Sequence, residues 1–284
     1  MTCFTRVVES LDEAPIKTIT KDGKMQALQT AASGMLAQER RTEVIANNLA
    51  NMNTTGYQRR RIEFNSLIYK TSSRPATRES SPGEQVPGGV HRGLGVKAAA
   101  TYRITEQGFL KTTQNPLDMA VQGSGYFQIQ LPNGEIAYSR NGNFQLDPEG
   151  QIVTQDGFPV QPGINVPANT QKITVNSTGE VLAKIPGQDA PVSVGIVQVA
   201  LFANAGGLAP IGNNMFAASE QSGQPTVVNP GQGGSGAILQ GFVETSNVNP
   251  IDEITKLIKA QRAYDMNSKV MTTADRMKAP IGAK

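Results

Sequence analysis

The sequence predicts an α+β fold. Long N- and C-terminal helices pack as a coiled-coil-like pair, with an all-β domain of short, hairpin-rich strands inserted between them. Two observations carry the helices: seven-residue spacing near both ends of the chain, and the helix-start pattern of Ser246 or Asn249, Pro250, Asp252 and Glu253 before the second of them. A third carries the β domain. Asn133-Gly134, Asn141-Gly142, Glu149-Gly150 and Asp156-Gly157 recur every seven or eight residues, and Asn-Gly and Asp-Gly supply the positive φ of tight hairpins. The 284 residues are enough for one or two domains with a sizeable core. Charged residues make up 17%, aromatics 5%, and there are 29 Gly and 17 Pro, a profile that suits a turn-rich β protein.

Met25–Asn51 reads as the first helix. Leu28, Met35, Thr42 and Leu49 stand seven apart, and Ala27, Ala31, Ala32, Ser33, Gly34 and Ala37 make its opening half small. Gly34 costs about 1 kcal/mol against alanine in a helix, so a close helix contact would give it a reason; an ordinary weak spot is the alternative. Asn47, Asn48, Asn51 and Asn53 crowd the helix end. Their amides compete for backbone groups, so they serve either a frayed end or hydrogen bonds to a packed neighbour. Thr54-Thr55-Gly56 follows, with Gly56 suited to a C′ position.

Arg59–Lys70 mixes helical and strand periods, and Thr71–Arg92, rich in Ser, Pro and Gly, reads as a flexible loop. From Gly95 to about Val243 the chain reads as β-structure, with apolar runs at Tyr126–Leu131, Gln151–Thr154, Lys172–Val175 and Val192–Phe202. Ala205–Gly236 reads as long loops. The last helix follows Ser246-Asn247-Val248-Asn249-Pro250. Ser246 or Asn249 can cap it, Pro250 suits its first position, and Asp252 and Glu253 meet the dipole of its first turn. Leu257, Tyr264 and Met271 repeat at seven, as do Ile254, Gln261 and Ser268. Polar Gln261 and Asn267 on or beside the seam fix register at a cost in stability.

Several classes are excluded by composition. A net charge of +3 is small and dispersed, against nucleic-acid binding. Arg59-Arg60-Arg61 is the one basic cluster, a solvated face or a contact for an acidic neighbour. No apolar run reaches the length of a membrane span. Cys3 is the only cysteine and His91 the only histidine, so neither an internal disulfide nor a Cys/His zinc site can form. Gly93-Leu94-Gly95 and Gly123-Ser124-Gly125 complete no phosphate loop, and no nucleophile elbow or calcium loop occurs. No catalytic, cofactor-binding or metal-binding residue is assigned.

Asn47-Asn48-Leu49-Ala50-Asn51 with Thr54-Thr55-Gly56-Tyr57, then Pro116-Leu117-Asp118, Gly123-Ser124-Gly125-Tyr126-Phe127 and Tyr138-Ser139-Arg140-Asn141-Gly142 recur in one order. Ser246-Asn247-Val248, Ala260-Gln261-Arg262-Ala263-Tyr264 and Asn267-Ser268-Lys269 complete it. Together they resemble the bacterial flagellar basal-body rod–hook family of axial proteins, from Met25 to about Met277; the length and Tyr69–Val96 are most similar to its distal-rod branch. The resemblance implies a structural, non-enzymatic subunit that self-assembles into a rigid helical tube, transmitting torque from motor to hook. It implies residues 1–24 as an extension, disordered or mis-called, and an inner-tube domain from 25–58 and 244–284. Residues 59–95 connect to an outer-wall β domain at 96–243. It also implies partners: copies of itself, proximal rod and hook proteins, P-ring and L-ring proteins, and the flagellar type III export apparatus. The place implied is the basal body from periplasm to outer membrane, reached without a cleaved signal. A proximal rod or hook paralogue stays open, as does a secreted carbohydrate-binding or hydrolytic β domain, which the absence of Trp disfavours. The residues expected to carry assembly are Leu28, Met35, Ile45, Asn48, Leu49 and Asn51 on the first helix. On the last they are Ile254, Leu257, Gln261, Tyr264, Asn267 and Met271.

Overall fold

The computed structural model describes residues 14–71, 91–187 and 190–277. Helix α1 is Ala14–Ala50 and helix α2 is Pro250–Arg276. The chain divides into two units. One holds α1 up to Ala46, Ile62–Thr101 and α2 from Ile251; the other holds Asn47–Arg61 and Tyr102–Pro250.

In the first unit the two helices pack together through small residues. Ala31 and Ala37 of α1 and Ala260 and Ala274 of α2 are buried. Gly34 lies so close to α2 that a Cβ there would sit 2.7 Å from Asn267 Nδ2, which gives the helical glycine its reason. Helix axes approach only as near as the side chains between them allow. The expected N-terminal boundary at Met25 is not where the helix begins, since α1 already runs from Ala14; residues 1–13 of the expected extension lie outside the described residues. Arg59–Lys70, ambiguous in sequence, is extended: β1 (Arg60–Ser66) and β2 (Tyr69–Thr71) fall there, and β3 (His91–Gly93) and β4 (Val96–Arg103) follow. β1 pairs with β4, and β2 pairs antiparallel with β3, with Tyr69 opposite Gly93. Most of the expected Thr71–Arg92 loop, residues 72–90, lies outside the described residues.

The second unit is β-structure. Its strands are β5 (Leu110–Thr112), β6 (Met119–Gln122), β7 (Tyr126–Gln130), β8 (Ile136–Ser139), β9 (Phe144–Leu146), β10 (Ile152–Thr154), β11 (Lys172–Val175), β12 (Glu180–Lys184), β13 (Val192–Ile196) and β14 (Val199–Leu201). After a 3-10 turn come β15 (Ala209–Gly212), β16 (Met215–Ala217), β17 (Thr226–Val228), β18 (Ala237–Gln240) and β19 (Phe242–Glu244). A six-stranded sheet runs β15-β16-β8-β7-β14-β17, and a three-stranded one β11-β12-β13. Central β7 is buried on both faces, as alternation along a strand allows. Phe127 stacks edge-on against Phe144 at 5.1 Å in one cluster, while Tyr126 joins Tyr138, Ala200, Leu208 and Phe216 in another.

Ala205–Gly236 is not all loop, because β15, β16 and β17 lie within it. β15 and β17 are edge strands of the six-stranded sheet, and β15 is exposed along its whole length. The apolar runs of this stretch, Leu208-Ala209-Pro210-Ile211, Met215-Phe216-Ala217-Ala218 and Val227-Val228, are short and set among glycines, asparagines and serines, which masks them in the sequence. Asn213 and Asn214, both at positive φ (50° and 56°), form the two-residue turn between β15 and β16. Val192–Phe202 is two strands, β13 and β14, in different sheets. Asn141-Gly142 is not a hairpin turn either. A Cβ on Gly142 would meet the Met119 carbonyl oxygen at 1.6 Å, so glycine is required there by close backbone approach.

Candidate functional site

The sequence signature at the end of α1 folds into a hydrogen-bonded clamp inside the second unit. Asn48 is buried at 1% exposure. Its Nδ2 donates to the Arg60 carbonyl at 2.8 Å, and the Arg60 N–H donates to its Oδ1 at 2.8 Å. One amide thus satisfies both backbone groups of a residue at the start of β1. The Tyr57 hydroxyl donates to Asn47 Oδ1 at 2.8 Å and approaches Asn48 Oδ1 at 3.3 Å. Asn51 Nδ2 donates to the Asn47 carbonyl at 2.9 Å and its Oδ1 accepts from Thr54. Gly56 is not a C′ residue, since the helix ends at Ala50. It sits at φ +68° in the following turn, its N–H donates to the Glu244 carbonyl at 2.8 Å, and a Cβ would lie 2.6 Å from Asn141 N.

The second signature closes the clamp from the other end of the chain. Asn247 Oδ1 accepts from the Arg59 N–H at 2.7 Å, and its Nδ2 donates to the carbonyls of Ile104 and Glu106 at 3.0 and 2.8 Å. Arg140 and Glu244 form a buried ion pair at 3.2 Å, exposed by 5% and 4%. Arg140 Nη2 also donates to the Gly123 carbonyl and Glu244 Oε1 accepts from the Gly108 N–H. Burial raises the Glu244 carboxyl above its ordinary value, while Arg140 and the Gly108 N–H pull it back only in part.

The first unit presents a different surface. Along α2, Glu253, Ala260 and Ala274 are buried, with Leu257, Asn267 and Met271 half-buried on the same face. The other face carries Ile254, Ile258, Met266 and Val270 on one i,i+4 row, interrupted by Arg262. Their exposures are 45%, 45%, 59% and 52%. An open groove of about 550 Å3 between α1 and α2 is lined by Thr42, Ala46, Gln261 and Tyr264, with Glu39, Glu43 and Asp265 also on its wall.

The expected assembly residues therefore separate. Ile254, Gln261 and Tyr264 are exposed on α2; Leu28, Met35, Leu49, Asn51, Leu257, Asn267 and Met271 are half-buried; Ile45 and Asn48 are buried. Asn48 and Asn51 bond within their own chain. Sequence reading passed over Ile258, Met266 and Val270, whose signal is their four-residue spacing, off the seven-residue seam. It also passed over the roles of Asn247, Arg140 and Glu244, whose partners are more than 100 residues distant in sequence. Among the described residues no group of three His, Cys, Asp or Glu side chains is placed to hold a metal, and no helix is long and apolar enough to cross a membrane.

In the second unit polar side chains are devoted to the chain's own backbone, and in the first a helix turns apolar residues to solvent, features that suit a structural subunit. Its kind follows from comparison with known proteins. The sequence profile for "Flagella basal body rod protein" matches residues 28–58. "Flagellar hook protein FlgE/F/G D1 domain" matches residues 120–183, and "Flagellar basal body rod FlgEFG protein C-terminal" matches residues 239–279. The flagellar basal-body rod protein FlgG of Caulobacter vibrioides is 54% identical over 253 residues, 89% of this chain and 97% of the relative. FlgG of Agrobacterium fabrum is 46% identical with the same coverage, and FlgG of Bacillus subtilis is 35% identical over 88% of this chain and 96% of the relative. The chain belongs to the flagellar basal-body rod protein family, which is structural and not enzymatic.

Proposed function

We propose that the chain is a structural subunit of the flagellar basal-body distal rod, self-assembling through its terminal helices into a rigid helical tube that transmits torque from motor to hook. The observation that carries this reading is the exposed row Ile254, Ile258, Met266 and Val270 on a helix whose opposite face is already packed. Contiguous exposed apolar surface marks a site of association. Ile254, Gln261 and Tyr264 meet neighbouring copies directly in this account, and Leu28, Met35, Leu49, Leu257, Asn267 and Met271 reach them from the edges of the packed helix pair in a coiled-coil-like inner tube. Ile45, Asn48 and Asn51 act from within, holding the helix ends in shape. Contacts between unlike surfaces of identical copies generate an open helix. The β-structure of 96–243 forms the outer wall, and 1–24 is an extension.

Family membership supports partners of the same kind: proximal rod and hook proteins along the axis, P-ring and L-ring proteins around it, and the type III export apparatus that delivers the subunit. The location is then the basal body from periplasm to outer membrane, reached without a cleaved signal. Electron microscopy of the full chain beside a version cut to 95–243 tests the reading. Straight tubes from the first and none from the second support it. Monomers from both, at every protein and salt concentration tried, reject it.

A further inference from the structure

The second unit buries a positive charge that no carboxylate among the described residues answers. Arg103 is 8% exposed. Its Nη2 donates to the Leu208 carbonyl and, at 3.4 Å, to those of Ala205 and Gly206, and its guanidinium carbon lies 4.1 Å from the centre of the Phe216 ring. Nη1 has no hydrogen-bond partner among the described residues. Among the described residues, the ion pairs join Arg40 to Glu43, Arg59 to Glu106, Arg140 to Glu244 and Lys256 to Glu253. Neither Arg103 nor its neighbour Arg60 takes part. Burial lowers the Arg103 pKa from the ordinary arginine value; Tyr126 opposes this and Arg60 adds to it.

Both arginines line one cleft of about 210 Å3 together with Asn47, Asn51, Asn213 and Asn214, and among the described residues no Asp or Glu lines it. The half-exposed Arg60 is held there by the Asn48 bracket on its backbone. The Tyr57 hydroxyl occupies Asn47 Oδ1 and thereby orients the Asn47 amide. Two guanidiniums at a partly desolvated wall repel each other, and an uncompensated buried charge is costly. An oxyanion in the cleft offsets both.

We propose that this cleft binds a small oxyanion, supplied either as a free phosphate-type ion or as a side-chain carboxylate of a second copy of the chain. Arg60 makes the direct, charge-assisted contact, for which a planar guanidinium suits two oxygens at once. The Asn47 amide adds a neutral donor. Arg103, almost fully buried in the cleft wall, contributes its field, which is little screened there. The carboxylate source rests on the assembly proposed above; binding of a free ion does not.

The test is a calorimetric titration of the full chain with sodium phosphate, against sodium chloride at matched ionic strength. Saturable phosphate binding is expected, with a rise in melting temperature that chloride does not give. R60Q should weaken it at least tenfold without unfolding the chain, because the Asn48 bracket holds Arg60 by its backbone alone. R103K, which keeps the charge, should retain binding. No saturable binding, or R60Q binding as tightly as wild type, overturns the proposal. The source is read from assembly. If a neighbour's carboxylate fills the cleft, phosphate and R60Q both slow polymerisation; if a free ion does, polymerisation runs equally fast in the two salts. Phosphate binding by the unassembled chain is measured whether or not tubes form, so this proposal and the assembly reading fail separately.

Discussion

Replacing Asn48 with alanine removes two hydrogen bonds at once, both to the backbone of Arg60 and both from a side chain 1% exposed. Each buried group left without a partner costs about 1–3 kcal/mol. Some water entry through the neighbouring cleft relieves part of this, so the loss should be about 2–5 kcal/mol. Asn48→Asp is the sharper variant. It keeps the acceptor for the Arg60 N–H, but it sets a carboxylate oxygen against the Arg60 carbonyl in place of a donor. It should therefore destabilise at least as much as alanine, since burying an anion opposite a carbonyl adds to the cost. Urea unfolding followed by far-ultraviolet circular dichroism gives the totals, and amide exchange at Arg60 gives the local effect. The Arg60 N–H, protected by Asn48 Oδ1 in wild type, should exchange far faster in Asn48→Ala. A change within about 0.5 kcal/mol, the usual size for a surface substitution, with Arg60 protection intact, would refute the clamp.

Arg140→Met should cost about 3–5 kcal/mol by leaving Glu244 buried without its partner, and the double variant Arg140→Met/Glu244→Leu should recover most of it; thermal melts of the three variants check this. Glu244 holds its proton more tightly folded than unfolded, because burial raises its pKa above 4.5. The folded state thus binds more protons in the window just above that value, and stability should fall as pH rises through it. That downward slope above the ordinary carboxyl range should vanish from the melting profile of Glu244→Gln. Gly56→Ala forces φ +68° on an L side chain and drives a Cβ to 2.6 Å from Asn141 N. It should cost upwards of about 1–2 kcal/mol for the left-handed conformation alone, read by denaturant titration. Gly34→Ala should be nearly neutral. Helix propensity gains about 1 kcal/mol, while the Cβ displaces only the amide end of Asn267, and Gly34→Ala/Asn267→Ala should exceed wild type in melting temperature.

The helices and the central strands were legible because their signals are local. Lys172–Val175 is a strand with the expected bounds, and Tyr126–Leu131 differs from β7 by one residue. Gly134 and Gly150, at φ +84° and +86°, turn two of the expected hairpins. Legibility stopped where structure depends on distant partners. Gly142 looked like a turn residue, and only the position of the Met119 carbonyl shows why it is glycine. β15 and β17 sit at a sheet edge, where half of each strand's hydrogen bonds and most of its side chains need no buried surroundings. Two readings stood open for the asparagines at the end of α1, a frayed end or hydrogen bonds to a packed neighbour, and the structure shows hydrogen bonds at Asn47, Asn48 and Asn51. The partner of Asn48, the backbone of Arg60, follows only from the turn that brings β1 back beside them. The seven-residue spacing of Leu257, Tyr264 and Met271 lies along the face of α2 that holds buried Ala260 and Ala274, and it drew attention from the other face. There the four-residue row of Ile258, Met266 and Val270 remains open to solvent.

That row is also where the account is most exposed to test. Ile258→Glu combined with Val270→Glu changes two residues that are 45% and 52% exposed, so the isolated subunit should keep its melting temperature within a degree or two. Sedimentation and electron microscopy of wild type beside this double variant decide the central claim. Tubes from wild type, and a folded monomer at every concentration from the variant, are the predicted result. Tubes of equal length and abundance from both would contradict assembly through the exposed face of α2.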